Sequence, residues 1–155
     1  MSTRIEDRLK ELGLELPRAS APGANYIPFV RTGNSVYVSG QVCQWNGERR
    51  FIGKLGREFT LEQGQEAARL CALNVIAQLQ QAIGGDFNRF VRCVRVGGYV
   101  NSTPDFLNHP QVINGASDLF VAVLGEEGRH ARTAIGVSAL PYDVAVEVDA
   151  VFEIR

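Results

Sequence analysis

The sequence has almost no net charge and few histidines, and each shortage excludes a class of function. Net charge is −1 at pH 7, so the chain has no general attraction to nucleic-acid backbones or anionic membranes. Only His109 and His130 are histidines, and no CxxC or HxxxH spacing occurs; a structural metal site is not expected. No GxGxxG or GxxxxGK[ST] motif predicts a dinucleotide or P-loop site. We therefore expect neither a cofactor nor a nucleic-acid partner.

Long apolar runs and closely spaced cysteines are also missing. No run is long enough to span a bilayer, and residues 1–16 alternate charged and apolar side chains, unlike a secretory signal. Cys43, Cys71 and Cys93 are widely spaced in apolar segments, which predicts buried thiols in a reducing compartment. We expect a cytoplasmic protein. A chain of 155 residues, 45% apolar and 21% charged, is typical of one packed domain.

Apolar spacing and turn residues predict the order helix, then ββ(β)αβαββ. Helices are predicted over residues 3–14 with Ser2 or Thr3 as the N-cap, over 61–83 with Thr60 and Gln63 as a capping box, and over 111–124 after Pro110. Strands are predicted over 27–31, 35–42, 90–101, 131–140 and 144–154, with a short one at 50–52. The sequences Thr32-Gly33-Asn34 and Trp45-Asn46-Gly47 are typical of turns. This order indicates an α+β domain with its helices on one face of one sheet.

Alternation along the strands sorts their side chains into two faces. The first is apolar and should lie under the two helices: Val36, Val38, Val94, Val96, Val100, Ile135, Val137, Val146, Val148, Ala150 and Phe152. The second mixes small residues and tyrosines with a few charges: Tyr37, Ser39, Gln41, Cys93, Arg95, Gly97, Tyr99, Asn101, Arg132, Ala134, Gly136, Ser138, Ala145, Glu147, Asp149 and Val151. Such a face favours burial against another subunit. A partly solvated, glycine-rich sheet is the alternative.

Two charged residues on the second face are candidates for chemistry. The guanidinium of Arg132, with small neighbours beside it, suits bidentate capture of a carboxylate; the alternative is an ion pair with Glu147 or Asp149. Glu147 is an acid between valines and could accept a proton, or it could form a salt bridge. Four further polar residues could donate hydrogen bonds to a ligand, although such residues more often satisfy turns: Tyr26, Ser39, Tyr99 and Asn101.

Several motifs together resemble one known family. They are Val38-Ser39-Gly40-Gln41 after a hairpin, Tyr99-Val100-Asn101, Val112-Ile113-Asn114, Ala131-Arg132-Thr133, and the run from Leu140-Pro141 to Val146-Glu147-Val148-Asp149-Ala150. In this order they resemble the reactive intermediate deaminase family, also called Rid, YjgF or L-PSP endoribonuclease-like. The resemblance covers residues 23–155. Its most specific part runs from Arg132 through Leu140-Pro141 to residues 146–150.

The resemblance implies a chorismate-mutase-like (ferredoxin-like) α+β fold, with two helices on one face of a mixed sheet. It also implies a single Rid-like domain over residues 1–155, of which 1–16 are an additional N-terminal helical extension. Active relatives form homotrimers and hydrolyse 2-imino or 2-enamino acids to 2-keto acids and ammonia at clefts between subunits, without a metal or cofactor. On this match Arg132 binds the substrate carboxylate, Glu147 activates or orients the attacking water, and the pocket is lined by Tyr26, Ser39, Gly40 and Asn101.

The chain departs from the family pattern at several positions near the predicted pocket. Asn25-Tyr26-Ile27 stands where Pro-Tyr-Ser is frequent, Cys43 replaces a frequent proline, Ala134 a cysteine and Gly136 a glutamate. The carboxylate anchor is retained. A second hypothesis is therefore a trimeric binding protein for 2-keto acids or other carboxylates that does not turn them over. The third, an endoribonuclease, is the least supported, because the chain is slightly acidic and lacks a basic aromatic strip.

Overall fold

A five-stranded sheet forms the centre of the molecule, whose residues 3–155 are described by a computed structural model. Its strands are β1 (Phe29–Thr32), β2 (Ser35–Val42), β5 (Phe90–Asn101), β6 (Ala131–Val137) and β7 (Val146–Ile154), in the order β1-β2-β7-β5-β6. The β5–β6 pair is parallel and the other pairs are antiparallel. A separate hairpin joins β3 (Gln44–Trp45) to β4 (Glu48–Arg49). The sheet is therefore mixed, as predicted.

Three helices accompany the sheet: α1 (Arg4–Glu11), α2 (Leu61–Ala82) and α3 (His109–Leu124). Helices α2 and α3 pack against each other and against the same face of the sheet, and α1 packs on α3. Thr3 and Thr60 each form a capping box with the residue three positions on, which is worth about 1 kcal/mol per cap. Both caps were predicted; Ser2, the alternative cap, lies outside the described residues. Among residues 3–155, no helix combines the length and apolarity needed to cross a membrane.

Several element boundaries differ from the predictions. The predicted bounds of β2 and β5 are confirmed, whereas β6 stops at Val137 and α3 begins two residues early, at His109. No strand forms over residues 50–52; Ile52 makes a single bridge to Val144. The three cysteines are buried and unbridged, as expected.

The predicted face of β6 is wrong. In the register of the parallel pair, Arg132 lies beside Val96, which is fully buried under the helices. Residues in register on neighbouring strands point to the same side of a sheet. Arg132, Ala134 and Gly136 therefore face α3, and Ile135 points to the other side, where it is 45% exposed. We call that other side the open face.

Two bulges correct the face assignment further. The register of β5 against β7 shifts between Cys93 and Arg95, so Val94 is the extra residue and is exposed, while Cys93 is buried in the core. A second shift, between Val38 and Gln41 of β2, buries Gln41 opposite Val148. A bulge inserts one residue and reverses the alternation beyond it, which strict period-two patterning does not anticipate.

Candidate functional site

The side chain of Arg132 is fixed by the first turns of α3. Its Nη1 donates to Asn114 Oδ1 (2.8 Å) and to Ser117 Oγ (3.2 Å), and its Nη2 donates to the Pro110 carbonyl (3.4 Å). None of the salt bridges among residues 3–155 includes it. The ion pair with Glu147 or Asp149 that the sequence left open is therefore absent from the described residues, and the guanidinium has no counter-ion there.

His130 completes this hydrogen-bond network. Its Nδ1 lies 2.7 Å from the Gly128 carbonyl, and its Nε2 lies 2.9 Å from Ser117 Oγ. Because a carbonyl only accepts, the proton belongs on Nδ1, and Nε2 accepts from the Ser117 hydroxyl. Burial lowers the pKa of His130, and the charge of Arg132 lowers it further, so the ring stays neutral beside the guanidinium. We call Asn114, Ser117, His130 and Arg132 the arginine group.

One edge of the guanidinium remains available. A guanidinium has five N–H donors, and the hydrogen bonds of Arg132 use both on Nη1 and one on Nη2. Within residues 3–155 the Nε–H and the second Nη2–H have no acceptor. Two fixed, unpaired donors on one planar cation suit a carboxylate, which can accept both.

The sequence itself contains a signal for this group. Pro110, Asn114 and Ser117 follow the spacing i, i+4, i+7, which puts them on one face of a helix. The motif containing Asn114 contributed to the family resemblance, but no role was assigned to it. Its contact with Arg132 depends on α3 lying over β6, and periodicity within α3 alone does not show that.

A second set of predicted residues lies on the open face, around the end of β2. Glu147 is paired with Tyr99 of β5 and Val42 of β2, and a Cβ added at Gly40 would collide with its carboxylate. Ser39 donates from its hydroxyl to the Ile27 carbonyl (2.8 Å) and fastens the loop that carries the exposed Tyr26. We call Tyr26, Ser39, Gly40 and Glu147 the glutamate group.

The two acids of β7 on this face differ in their bonding. Asp149 accepts from the Tyr99 hydroxyl (2.9 Å) and from the Gly97 amide (3.2 Å). The Glu147 carboxylate accepts no hydrogen bond within residues 3–155, and burial followed by the charge of Asp149 raises its pKa. A half-buried carboxylate with free lone pairs and a raised pKa has the properties of a general base or water-orienting group.

The predicted pocket residue Asn101 has a different environment. It is fully buried, and its Nδ2 donates to Gly53 O, Asp143 Oδ1 and Val144 O. Its Oδ1 accepts from Lys54 Nζ. Both polar atoms are occupied, so the structure makes Asn101 an anchor for Lys54, and direct contact with a ligand stays a prediction.

Comparison with known proteins shows which family the chain belongs to. The family model described as "YjgF/chorismate_mutase-like, putative endoribonuclease" matches residues 6–153. The chain belongs to the YjgF/Rid family. Protein TCP17 of Trypanosoma cruzi is 47% identical to this Rid-family chain over an alignment of 155 residues that covers 99% of the chain and 96% of TCP17.

Solved structures agree with this assignment. Atu1372 of Agrobacterium tumefaciens, a protein of unknown function, superposes with a TM-score of 0.90 at 46% identity, covering 97% of this Rid-family chain and 93% of Atu1372. RidA of an Antarctic Psychrobacter superposes with a TM-score of 0.61 at 29% identity, covering 88% of the chain and 94% of RidA. The predicted family and its α+β fold are thus confirmed.

Proposed function

We propose that this Rid-family protein hydrolyses 2-imino and 2-enamino acids to 2-keto acids and ammonia, at clefts between the subunits of a homotrimer. The observation that carries the proposal is the free edge of Arg132, a fixed cationic fork without a counter-ion in the described chain. Family membership and the likeness to RidA supply the reaction class.

The arginine group and the glutamate group have separate roles in the proposed reaction. The Nε and Nη2 edge of Arg132 holds the substrate carboxylate, which fixes the C=N carbon in place. An enamino acid first takes a proton at its C3 and becomes the imine. Water then adds to the C=N carbon, the amine nitrogen is protonated, and the carbinolamine breaks its C–N bond to release ammonia and leave the 2-keto acid. Glu147 orients the water and accepts its proton, for which its raised pKa is suited. Holding substrate and water in one geometry contributes much of the rate.

The site requires a second subunit on this account, because Arg132 faces α3 and Glu147 lies on the open face. In one protomer the sheet separates them; in a ring of protomers, the arginine group of one can meet the glutamate group of its neighbour. The open face also exposes the apolar side chains of Val30, Tyr37 and Ile135. Exposed apolar surface of this kind is typical of subunit interfaces, which supports the homotrimer.

A binding protein that does not turn its ligand over is the second candidate. The arginine group is complete within one protomer, so a carboxylate could bind there without Glu147. Ala134, where a cysteine is frequent in the family, also leaves Arg132 without a thiol at the next position on the same face of β6. An endoribonuclease is not proposed, because the charge of −1 does not attract RNA.

Keto-acid release from enzymatically generated 2-aminoacrylate tests the proposal. We expect the purified protein to accelerate pyruvate formation over the uncatalysed rate, and to sediment as a trimer. Absence of acceleration with saturable binding of 2-ketobutyrate would establish the binding protein instead. RNA cleavage that persists in Arg132→Ala would move the function elsewhere.

A further inference from the structure

Within one protomer, a cleft of about 490 Å³ opens where β5 and β6 end. Its walls come from the loop before α2, the loop between β5 and α3, the first residue of α3, and the end of β6. The lining residues include Lys54, Ser102, Phe106, Leu107, His109 and Gly136. Neither Arg132 nor Glu147 lines it. The volume is in the range of sites for small organic molecules.

Lys54 brings a fixed positive charge to this cleft. Its ammonium donates to Asn101 Oδ1 (2.5 Å) and to the Ser138 carbonyl (2.6 Å), both uncharged acceptors. An ammonium has three donors, so one remains. No salt bridge within residues 3–155 includes Lys54, whereas the other cation of the cleft, Arg57, is paired with Glu58 at 2.8 Å. Lys54 is therefore the uncompensated cation of the cleft.

Ser102 and His109 provide a second polar group beside it. Ser102 Oγ lies 3.0 Å from His109 Nε2. The imidazole fits there because position 136 is glycine: a Cβ at Gly136 would overlap the ring. When the proton is on Nε2, the histidine donates to Ser102, and the serine hydroxyl is free to donate to a third atom. An anion accepting from Ser102 and Lys54 would use both free donors.

Apolar side chains also line the cleft. Phe106 packs edge-on against His109, with ring centroids 5.7 Å apart, and Leu107 is 76% exposed. We propose that this cleft binds a small organic anion, whose carboxylate or phosphate lies at Lys54 and Ser102 and whose apolar body lies on Phe106 and Leu107. The site is separate from the arginine group and does not depend on the proposed deaminase activity.

The lysine content of the chain allows a direct test. Lys10 and Lys54 are its only lysines, and Lys10 is exposed on α1. In protein labelled with ¹³C-lysine, phenyl phosphate or phenylacetate should produce a saturable shift of the Lys54 side-chain signals and leave Lys10 unchanged. The difference between the two ligands identifies the preferred head group. Benzyl alcohol, which is neutral, should produce no saturable shift at Lys54.

Variants with matched controls make the test quantitative. Lys54→Met should weaken binding of the preferred anion by roughly 10- to 100-fold, the range for one lost hydrogen bond to a charged group, while Lys10→Met should not change it. Leu107→Glu keeps Lys54 intact, changes an exposed position, and should also weaken binding, by repulsion. Arg132→Ala should retain the Lys54 shift, which separates this site from the deaminase site.

Three results would overturn the proposal: no saturable shift at Lys54 with either anion, an equal shift with benzyl alcohol, or unchanged affinity in a folded Leu107→Glu protein. Loss of keto-acid release with an intact Lys54 shift would contradict only the deaminase.

Discussion

Replacing Arg132 with alanine should lower kcat/KM for keto-acid release by at least about 100-fold, because the substrate loses both its charge partner and its orientation. The fold should be preserved, since the side chain is partly exposed and its partners on α3 can bond to water. The measurement is pyruvate release from 2-aminoacrylate, with circular dichroism to confirm folding.

Two further arginine substitutions sharpen this prediction. Arg132→Lys keeps the charge but loses the planar fork, so we expect it to recover only part of the lost rate. Arg129→Ala is the matched control: Arg129 is exposed and paired with Glu126 at 3.1 Å, and its guanidinium makes no hydrogen bond to the side chains of the arginine group. Its rate should equal that of the wild type. A fully active Arg132→Ala protein would show that this guanidinium does not anchor the substrate.

The second large effect is expected at Glu147. Glu147→Gln keeps the size of the side chain but cannot accept a proton, so kcat should fall by roughly 10²- to 10⁴-fold, the usual contribution of a general acid or base. KM should change little, because the carboxylate anchor is elsewhere. A variant that lost affinity and kept kcat would instead indicate that Glu147 takes part in binding.

Although Glu147→Gln should lower the activity, it should raise the stability of the folded protein at neutral pH. The folded-state pKa of Glu147 is raised above its ordinary value of 4.5, first by burial and then by Asp149. The stability that Glu147 contributes is present below the unfolded-state pKa and is lost as the pH rises through the folded-state pKa. At pH 7 Glu147→Gln should therefore unfold at a higher urea concentration than the wild type, and below pH 4.5 the difference should shrink. Both proteins must be compared at equal concentration.

The predictable parts of the fold were those set by local chemistry. Thr60 and Gln63 mark the start of α2 because a capping box satisfies two backbone amides within four residues. The start of β2 follows similarly from the turn at Thr32-Gly33-Asn34, where Gly33 has a φ of +56°. Neither feature depends on the rest of the molecule.

The predictions were wrong where contacts between neighbouring elements determine which way a side chain faces. Alternation along β6 separates Arg132 from Ile135, but it does not say which of them faces the helices; the parallel register with β5 does. Ile135, as the more apolar residue, was assigned to the core, whereas the core side of this edge strand is filled from α3. The contacts of Asn114 with Arg132 and of Lys54 with Asn101 join residues far apart in sequence, which single-strand patterns do not reveal.

We propose that Arg132 and Glu147 act in one site although they lie on opposite sides of the protomer's sheet. Mixed trimers test it directly: Arg132→Ala and Glu147→Gln protomers are unfolded together in equal amounts and refolded. If each site takes its arginine from one protomer and its glutamate from the next, about a quarter of the sites in randomly assorted rings regain both residues. A mixture of Arg132→Ala with the double variant contains no intact arginine and serves as the control.

We predict that the first mixture recovers about a quarter of the wild-type keto-acid release, and that the control mixture recovers none. Activity in the first mixture no greater than that of its separate parents, with trimers of both protomers present, would contradict a site shared between subunits.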